Sequence, residues 1–448
     1  MSTDPTGASQ ITTGDRLTLT IDKMAAGGDG VARVDGMAIF VANAAPGDNA
    51  EVEITQRAKN FARGKITNLL VPGAKRVAPS CPLAGRCDGC QLQQLDYPAQ
   101  LEAKSDFVRD GLERIGRLSG IAVAPTLGME HPWQYRNKAE FIAGKVAGKL
   151  RLGYHIDAED GFLPLDDCPI QHPLSIKLLR AVEVVANTMS LSLAQLITRV
   201  SPVENSALII LVCREDHVEI KTIATTLRGM VPELAGVLFS LVRGNSVVRR
   251  TQARLIAGSD KLHQHLGDWE YTVSAESFFQ VNNQQAEVLQ RLAIASCGDI
   301  SNANVIDAYC GVGTFLLPLG KKAAHASGIE DSESAVRDAT ENLARYILRE
   351  VHLHENRVEA VLPRLVRKGR KADVILLDPP RKGAGPQVLE SVAALNAKRV
   401  ILISCDPATL GRDAGDLVKH GYTIQSVQPV DMFPQTWHVE TIALATKD

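Results

Sequence analysis

Apolar and polar residues alternate across Leu17-Thr18-Leu19-Thr20-Ile21 and again across Ala50-Glu51-Val52-Glu53-Ile54. A period of two turns one face of an extended strand to a core and the other to water. Another strand is predicted over residues 37–41, and the chain breaks at Gly27-Gly28-Asp29-Gly30 and Ala45-Pro46-Gly47-Asp48. Short strands parted by such turns predict a small OB-like β-barrel. Over residues 98–118 the period lengthens, and Leu101, Val108, Leu112 and Ile115 fall on one helical face. Residues 121–265 mix strand-like and helix-like pieces, predicting a mixed α+β region. From Gln280 on, helices and buried strands alternate. Residues 283–297 form a helix with Val288, Leu292 and Ala295 in register. Val305-Ile306-Asp307, Ser327-Gly328-Ile329-Glu330 and residues 374–378 and 400–404 read as strands. That alternation predicts a parallel, doubly wound α/β sheet. The expected division is a barrel over residues 10–72, a middle domain over 73–268 and a Rossmann-like domain over 269–448. The polar first ten residues are expected to be disordered.

A chain of 448 residues has room for two or three domains, since single cores stop growing near about 250–300 residues. The net charge of −2 gives no overall attraction to nucleic acid. Its distribution is more informative. Residues 51–80 hold Arg57, Lys59, Arg63, Lys65, Lys75 and Arg76 against Glu51 and Glu53. Such a strip fits a phosphate backbone or a solvated loop equally well. The start of the chain lacks a signal-type apolar stretch, and the aliphatic run at 207–213 is strand-sized. A spanning helix needs about 20 apolar residues, so a soluble cytoplasmic protein is expected. Its eight cysteines are then reduced thiols, metal ligands or catalysts.

Four constellations carry chemistry. Asp307-Ala308-Tyr309-Cys310-Gly311-Val312-Gly313-Thr314-Phe315 joins a strand to a helix, with Glu330 closing the next strand, where a carboxylate can accept from ribose hydroxyls. That turn alone fits a dinucleotide as well as S-adenosylmethionine. Asp378-Pro379-Pro380 closes a later strand, and the proline pair stiffens a loop suited to holding a substrate ring near a methyl donor. The alternative is a rigid turn without chemistry. Cys405 follows an apolar run and precedes Asp406-Pro407, a turn that exposes the thiol. Arg381 or Lys382 can favour its thiolate. Glu440 is the one carboxylate between Asp431 and Asp448. A thiol and a general base at one pocket mouth are what covalent attack on a pyrimidine ring requires. Cys213, Cys297 and Cys310 read instead as packing residues. Finally, Cys81-x5-Cys87-x2-Cys90 supplies three soft ligands, suiting zinc or an iron-sulfur cluster.

These residues together resemble the RNA uracil-5-methyltransferase family over nearly the whole chain. The cofactor run at 307–315, Asp378-Pro379-Pro380-Arg381, Ser404-Cys405-Asp406-Pro407-Ala408-Thr409-Leu410 and His438-Val439-Glu440 follow the family's order. The resemblance implies Cys405 as nucleophile and Glu440 as proton acceptor. It also implies S-adenosylmethionine held by Gln280, Tyr309, Glu330 and Asp378. The barrel resembles the TRAM domain, an RNA-binding module, and Tyr135-Arg136-Asn137-Lys138 resembles an RNA-facing segment. Members that modify ribosomal RNA hold a [4Fe-4S] cluster at this cysteine spacing, which implies Cys81, Cys87, Cys90 and Cys168 as its ligands. With barrel and cluster both present, the implied partner is 23S rRNA, with tRNA as the alternative. Asp406 departs from the family's Asn, and a second anion there would raise the thiol's pKa. Two rivals remain: an exocyclic-amine methyltransferase, which needs no cysteine, and a silent RNA-binding scaffold.

Overall fold

The computed structural model describes residues 11–156, 161–244 and 246–447; the first ten residues lie outside them. The chain forms two compact units, Met1–Phe107 with Phe433–His438, and Val108–Met432 with Val439–Asp448.

In the first unit six strands form one sheet, ordered Arg16–Thr20, Asn49–Arg57, Phe61–Val71, Met37–Ala42, Gly30–Val34 and Lys23–Met24. Only Met37–Ala42 and Phe61–Val71 run parallel. The period of two works as expected: Leu19, Ile39, Val41, Val52, Ile54 and Ala62 fill the interior of this OB-like barrel. The buried Asp48 carboxylate accepts the N–H groups of Ala45 at 2.6 Å and Gly73 at 2.9 Å, and Arg76 forks onto it at 2.6 Å. Burial alone would raise its pKa, but these donors outweigh burial and hold it low. Arg76 is therefore a structural residue. The rest of the basic strip is also mostly spoken for: Arg63 pairs with Asp29 at 2.7 Å, Lys65 with Glu53 at 3.3 Å, and Lys75 with Glu102. Arg57 and Lys59 are exposed and lack an acidic partner among the described residues. Further along, Lys104, fully buried, donates to the Phe433 carbonyl at 3.0 Å, and Leu92 N–H donates to that of Gln435 at 3.0 Å, seating Phe433–His438 in this unit.

The second unit holds two large sheets. One is mixed, with Ser206–Cys213 and Leu234–Arg243 its parallel pair and the helices Pro173–Thr188 and Ile220–Met230 beside them. The other has seven strands, ordered Val351–Glu355, His325–Glu330, Asn304–Ala308, Val374–Leu377, Arg399–Ser404, Glu440–Thr446 and Thr423–Val430. The first five run parallel, and Glu440–Thr446 is antiparallel to both neighbours. Strand order reverses between Asn304–Ala308 and Val374–Leu377, which opens a crevice at the carboxyl edge. Because the last strand runs the other way, its start lies at that same edge. No helix among the described residues is long and apolar enough to cross a membrane.

Two helices differ from the expected pattern. Tyr97–Asp110 is α-helical, but Gly111–Ile115 continues as a π turn, with Gly116 N–H donating to Gly111 carbonyl at 3.1 Å. The wider turn rotates the face, leaving Ile115 50% exposed while Leu112 stays buried. Its cause is close approach to the helix Pro407–Lys419: a Cβ on Gly111 would lie 2.2 Å from the Pro407 carbonyl oxygen, and one on Gly411 2.2 Å from that of Gly111. Gly411→Ala is thus expected to cost about 1–3 kcal/mol through overpacking, read by denaturant unfolding; a variant as stable as the parent would refute the close contact. In Asn283–Ser296 the buried face runs through Ala286, Leu289, Gln290 and Ala293 rather than Val288, Leu292 and Ala295. Gln290 enters the interior because its amide donates to Tyr271 hydroxyl at 2.7 Å and Thr314 carbonyl at 2.6 Å.

Candidate active site

At the end of Asn304–Ala308 the chain turns sharply, with Tyr309 at φ +69. A bulky residue in that region costs about 1–3 kcal/mol and persists only where its surroundings hold it. Here they do. Cys310 N–H donates to Ile329 carbonyl at 3.0 Å, Gly313 N–H to Cys310 carbonyl at 2.9 Å, and Gly311 N–H to Glu330 Oε2 at 2.9 Å. Glu330 Oε1 accepts the N–H groups of Asp331 and Ser332. The carboxylate expected to meet ribose therefore also fixes the turn, and keeps lone pairs for hydroxyl donors. A cleft of about 500 Å³ is lined by Arg357, Glu359, Ala384, Gly385 and Gln387. Charges on Glu359 and Arg357 also act on the Tyr309 phenol, so the cleft adjoins the turn. Sequence reasoning did not find it, because its walls come from two separate crossovers.

Asp378, Cys405 and Glu440 meet at the same edge. Leu377 pairs with Leu402 and Ser404 with Thr441, so Asp378, Cys405 and Glu440 follow from three neighbouring strand ends. Burial pushes the Asp378 carboxyl up. Burial first, then the negative charge of Asp378, pushes up Glu440, which is 5% exposed; Arg381 pulls it back. Burial pushes the half-buried Cys405 thiol up to about 12, with Glu440 next, Arg381 opposing, and Asp378 and Asp406 adding to the rise. Asp406 caps the helix Pro407–Lys419, accepting the N–H groups of Ala408 and Thr409, each at 2.9 Å.

Asp307 joins this set, although the sequence offered it only as the first residue of the cofactor run, with no role of its own. It is wholly buried and neither carboxylate oxygen has a hydrogen-bond partner. Burial, then the charges of Asp378 and Glu330, push its carboxyl well up. Acids held this way lack positive charge, and a cationic ligand would supply it. A sulfonium bearing an ammonium group fits that requirement.

Gln280 is buried in a separate braced loop. Asn137 Nδ2 donates to its carbonyl at 2.9 Å, and Asn137 N–H to that of Val281 at 2.8 Å. Arg199 donates to the Ser277 carbonyl, and Ser277 Oγ to Asp338 at 2.6 Å. Within this loop Phe278 is 67% exposed, while Phe279 is buried. Asn137, expected on an RNA-facing segment, is 1% exposed and acts as a brace.

Cys213, Cys297 and Cys310 are buried, as packing residues should be, whereas Cys81, Cys87, Cys90 and Cys168 are half-buried. Gly89 N–H donates to Cys87 Sγ at 3.4 Å, and burial, with the charge of Cys81 adding to it, raises the Cys87 thiol. Among the described residues, no group of three or more His, Cys, Asp or Glu side chains gathers closely enough to hold a metal ion. The donor chemistry of the loop therefore suits a soft metal, while its side chains are not arranged as a closed ligand set.

Comparison with known proteins bears on both units. The family described as tRNA (Uracil-5-)-methyltransferase matches residues 221–448, and the TRAM domain matches residues 10–67. A protein of Halalkalibacterium halodurans named as an uncharacterized RNA methyltransferase is 34% identical over 96% of each chain. One of the same description from Gloeobacter violaceus is 37% identical, again over 96% of each. Among solved structures, the tRNA (uracil-54, C5)-methyltransferase of Pyrococcus abyssi, in complex with S-adenosyl-L-homocysteine, shares the fold. The TM-score is 0.74 at 22% identity, covering 96% of this chain and 100% of that one.

Proposed function

This chain belongs to the tRNA (Uracil-5-)-methyltransferase family, and from that premise we propose that it methylates carbon 5 of one uridine in 23S rRNA through a covalent bond from Cys405. It is an S-adenosylmethionine-dependent RNA methyltransferase. The covalent reading rests on one observation, the pairing of Ser404 with Thr441, which makes Cys405 and Glu440 neighbours beside Asp378.

Uracil carbon 5 is too weak a nucleophile to be methylated directly. Cys405 Sγ adds to carbon 6, the ring electrons move onto the carbonyl oxygen, and carbon 5 gains nucleophilic density. S-adenosylmethionine, when bound, supplies an electrophilic methyl carbon. Glu440 then takes the proton from carbon 5, the ring double bond re-forms and the S–C6 bond breaks, returning the thiolate. Burial raises the pKa of this carboxyl, so its ionised form is a stronger base, with a pKa close to the working pH. Gln280, Tyr309, Glu330 and Asp378 are the proposed cofactor contacts, and the orphaned oxygens of Asp307 make it a further acceptor beside them. The target base must leave its stack, and the exposed ring of Phe278 offers a stacking surface. Arg57 and Lys59 are the barrel charges left for phosphate. The proposed compartment is the cytoplasm.

Incubation with radiolabelled S-adenosylmethionine tests the reading. The expected product is 5-methyluridine in 23S rRNA from a deletion strain. Label in tRNA alone would move the substrate to the one in the family's name, and label on an exocyclic amine would refute the chemistry.

The proposal includes a structural [4Fe-4S] cluster on Cys81, Cys87 and Cys90, with Cys168 carried over from the resemblance as the fourth ligand. Soft thiols at this spacing and the Gly89 N–H hydrogen bond to Cys87 Sγ support it. Anaerobically purified protein is expected to contain iron and acid-labile sulfide. Zinc, or four freely titrating thiols, would refute the cluster.

A further inference from the structure

The helix that starts directly after Cys405 and Asp406, Pro407–Lys419, carries an adjacent acid and base that reach back to the loop following Asp378. Asp413 is 1% exposed, and its Oδ2 accepts the Ala384 N–H at 2.7 Å. Its Oδ1 accepts from Arg412 Nε at 2.9 Å and Nη2 at 2.8 Å, and the same Nη2 donates to the Lys382 carbonyl at 2.7 Å. The loop between is tight. Gly383 has φ +79, its N–H donates to Pro380 carbonyl at 2.7 Å, and a Cβ there would stand 2.4 Å from Asp413 Oδ2. Backbone on both sides of Gly383 is therefore stapled to one turn of the nucleophile's helix. A buried carboxylate bears its desolvation only when donors surround it, and here they do.

Arg381 lies inside the stapled turn. Its exposed side chain makes no hydrogen bond or ion pair with any described residue, so the backbone alone positions it. Yet its guanidinium acts on both Cys405 and Glu440, and it is the one positive charge among the groups that bear on the thiol. We propose that Asp413 is a positioning residue: with Arg412 it fixes residues 380–384 to the helix of Cys405, and so sets where the Arg381 guanidinium stands relative to Cys405 and Glu440. Its importance for turnover rests on the covalent reading above.

The test is alkylation of Cys405 by iodoacetamide in the full-length protein, followed across pH by mass spectrometry of that peptide. The thiol is faced by Glu440 and Asp378 from neighbouring strand ends, by Asp406 from its own turn, and by Arg381. Losing or displacing the cation weakens thiolate formation. Asp413→Asn, Arg412→Gln and Arg381→Ala are each expected to slow alkylation severalfold at pH 8 and to move the profile to higher pH. Binding of S-adenosylmethionine is expected to stay unchanged in Arg412→Gln. The double variant Asp413→Asn/Arg381→Ala should be no slower than Arg381→Ala, because both changes remove one effect. A parental pH profile in either bracket variant, with folding verified by its unfolding transition, overturns the proposal, as does a double variant slowed by the product of the single effects. Arg412→Gln keeps the test decisive should Asp413→Asn fail to fold. Expected alkylation shifts alongside an active Cys405→Ala enzyme would support the bracket and refute the covalent reading, so the two failures are distinguishable.

Discussion

Cys405→Ala is expected to lower 5-methyluridine formation by about four orders of magnitude or more, since the variant lacks the covalent step that activates the ring. That corresponds to roughly 5 kcal/mol of barrier, at about 1.36 kcal/mol for each factor of ten. RNA carrying 5-fluorouridine at the target supplies a second readout. Fluorine at carbon 5 cannot leave as a proton does, so the S–C6 bond persists once carbon 5 is methylated. The parent protein should form a denaturation-resistant RNA adduct, and Cys405→Ala should form none. Methylation within tenfold of the parent would end the covalent account and favour transfer to an exocyclic amine, for which Asp378-Pro379-Pro380 would serve without a thiol.

The thiol's own surroundings make this prediction demanding. With Cys405 pushed up to about 12 in the free protein, very little thiolate exists at neutral pH. Its three carboxylate neighbours oppose ionisation and one guanidinium favours it. Asp307, unpaired in the interior, adds to the same excess of acid at this edge. The nucleophile is therefore suited to becoming reactive when positive charge arrives, rather than to standing ready in the empty pocket.

How much of this was legible depended on distance along the chain. The barrel strands and the doubly wound order could be read because period two and buried apolar runs are local properties. Glu330 and Asp378 stood out for the same reason, each closing its own strand. The adjacency of residues 405 and 440 is not local: it needs the last strand to enter antiparallel between Arg399–Ser404 and Thr423–Val430. The chemistry and the resemblance named the two residues, but their adjacency came only with the fold. The pairing of the basic strip was likewise not local, since Asp29 and Glu102, which lie outside the strip, and Asp48 behind it pair with three of its charges. The π turn at Gly111 and the bracket at Asp413 were likewise hidden, because each exists only through contacts hundreds of residues away or across a crossover. Asp406 was legible as an anion but not as the cap of the helix that follows it.

Glu440→Gln should separate two roles of one carboxylate by moving two readouts in opposite directions. As the proton acceptor, its loss leaves the methylated base attached to Cys405. Methyl transfer then proceeds once, methylated RNA accumulates as a covalent species, and turnover falls by about 10²–10⁴. As the anion that acts most strongly on it, Glu440 also raises the Cys405 thiol, so replacing it by a neutral amide lowers that pKa and speeds alkylation at fixed pH. The sign has a pH signature. Burial pushes Glu440 itself up to about 8, so at about pH 6 the carboxyl is already neutral and its removal changes little. As pH rises through about 8 the parent gains its negative charge, and the variant's advantage in alkylation should grow. Free methylated RNA released at the parental rate would exclude Glu440 as the base. Alkylation accelerated equally at every pH would show that its charge is not what holds the thiol up.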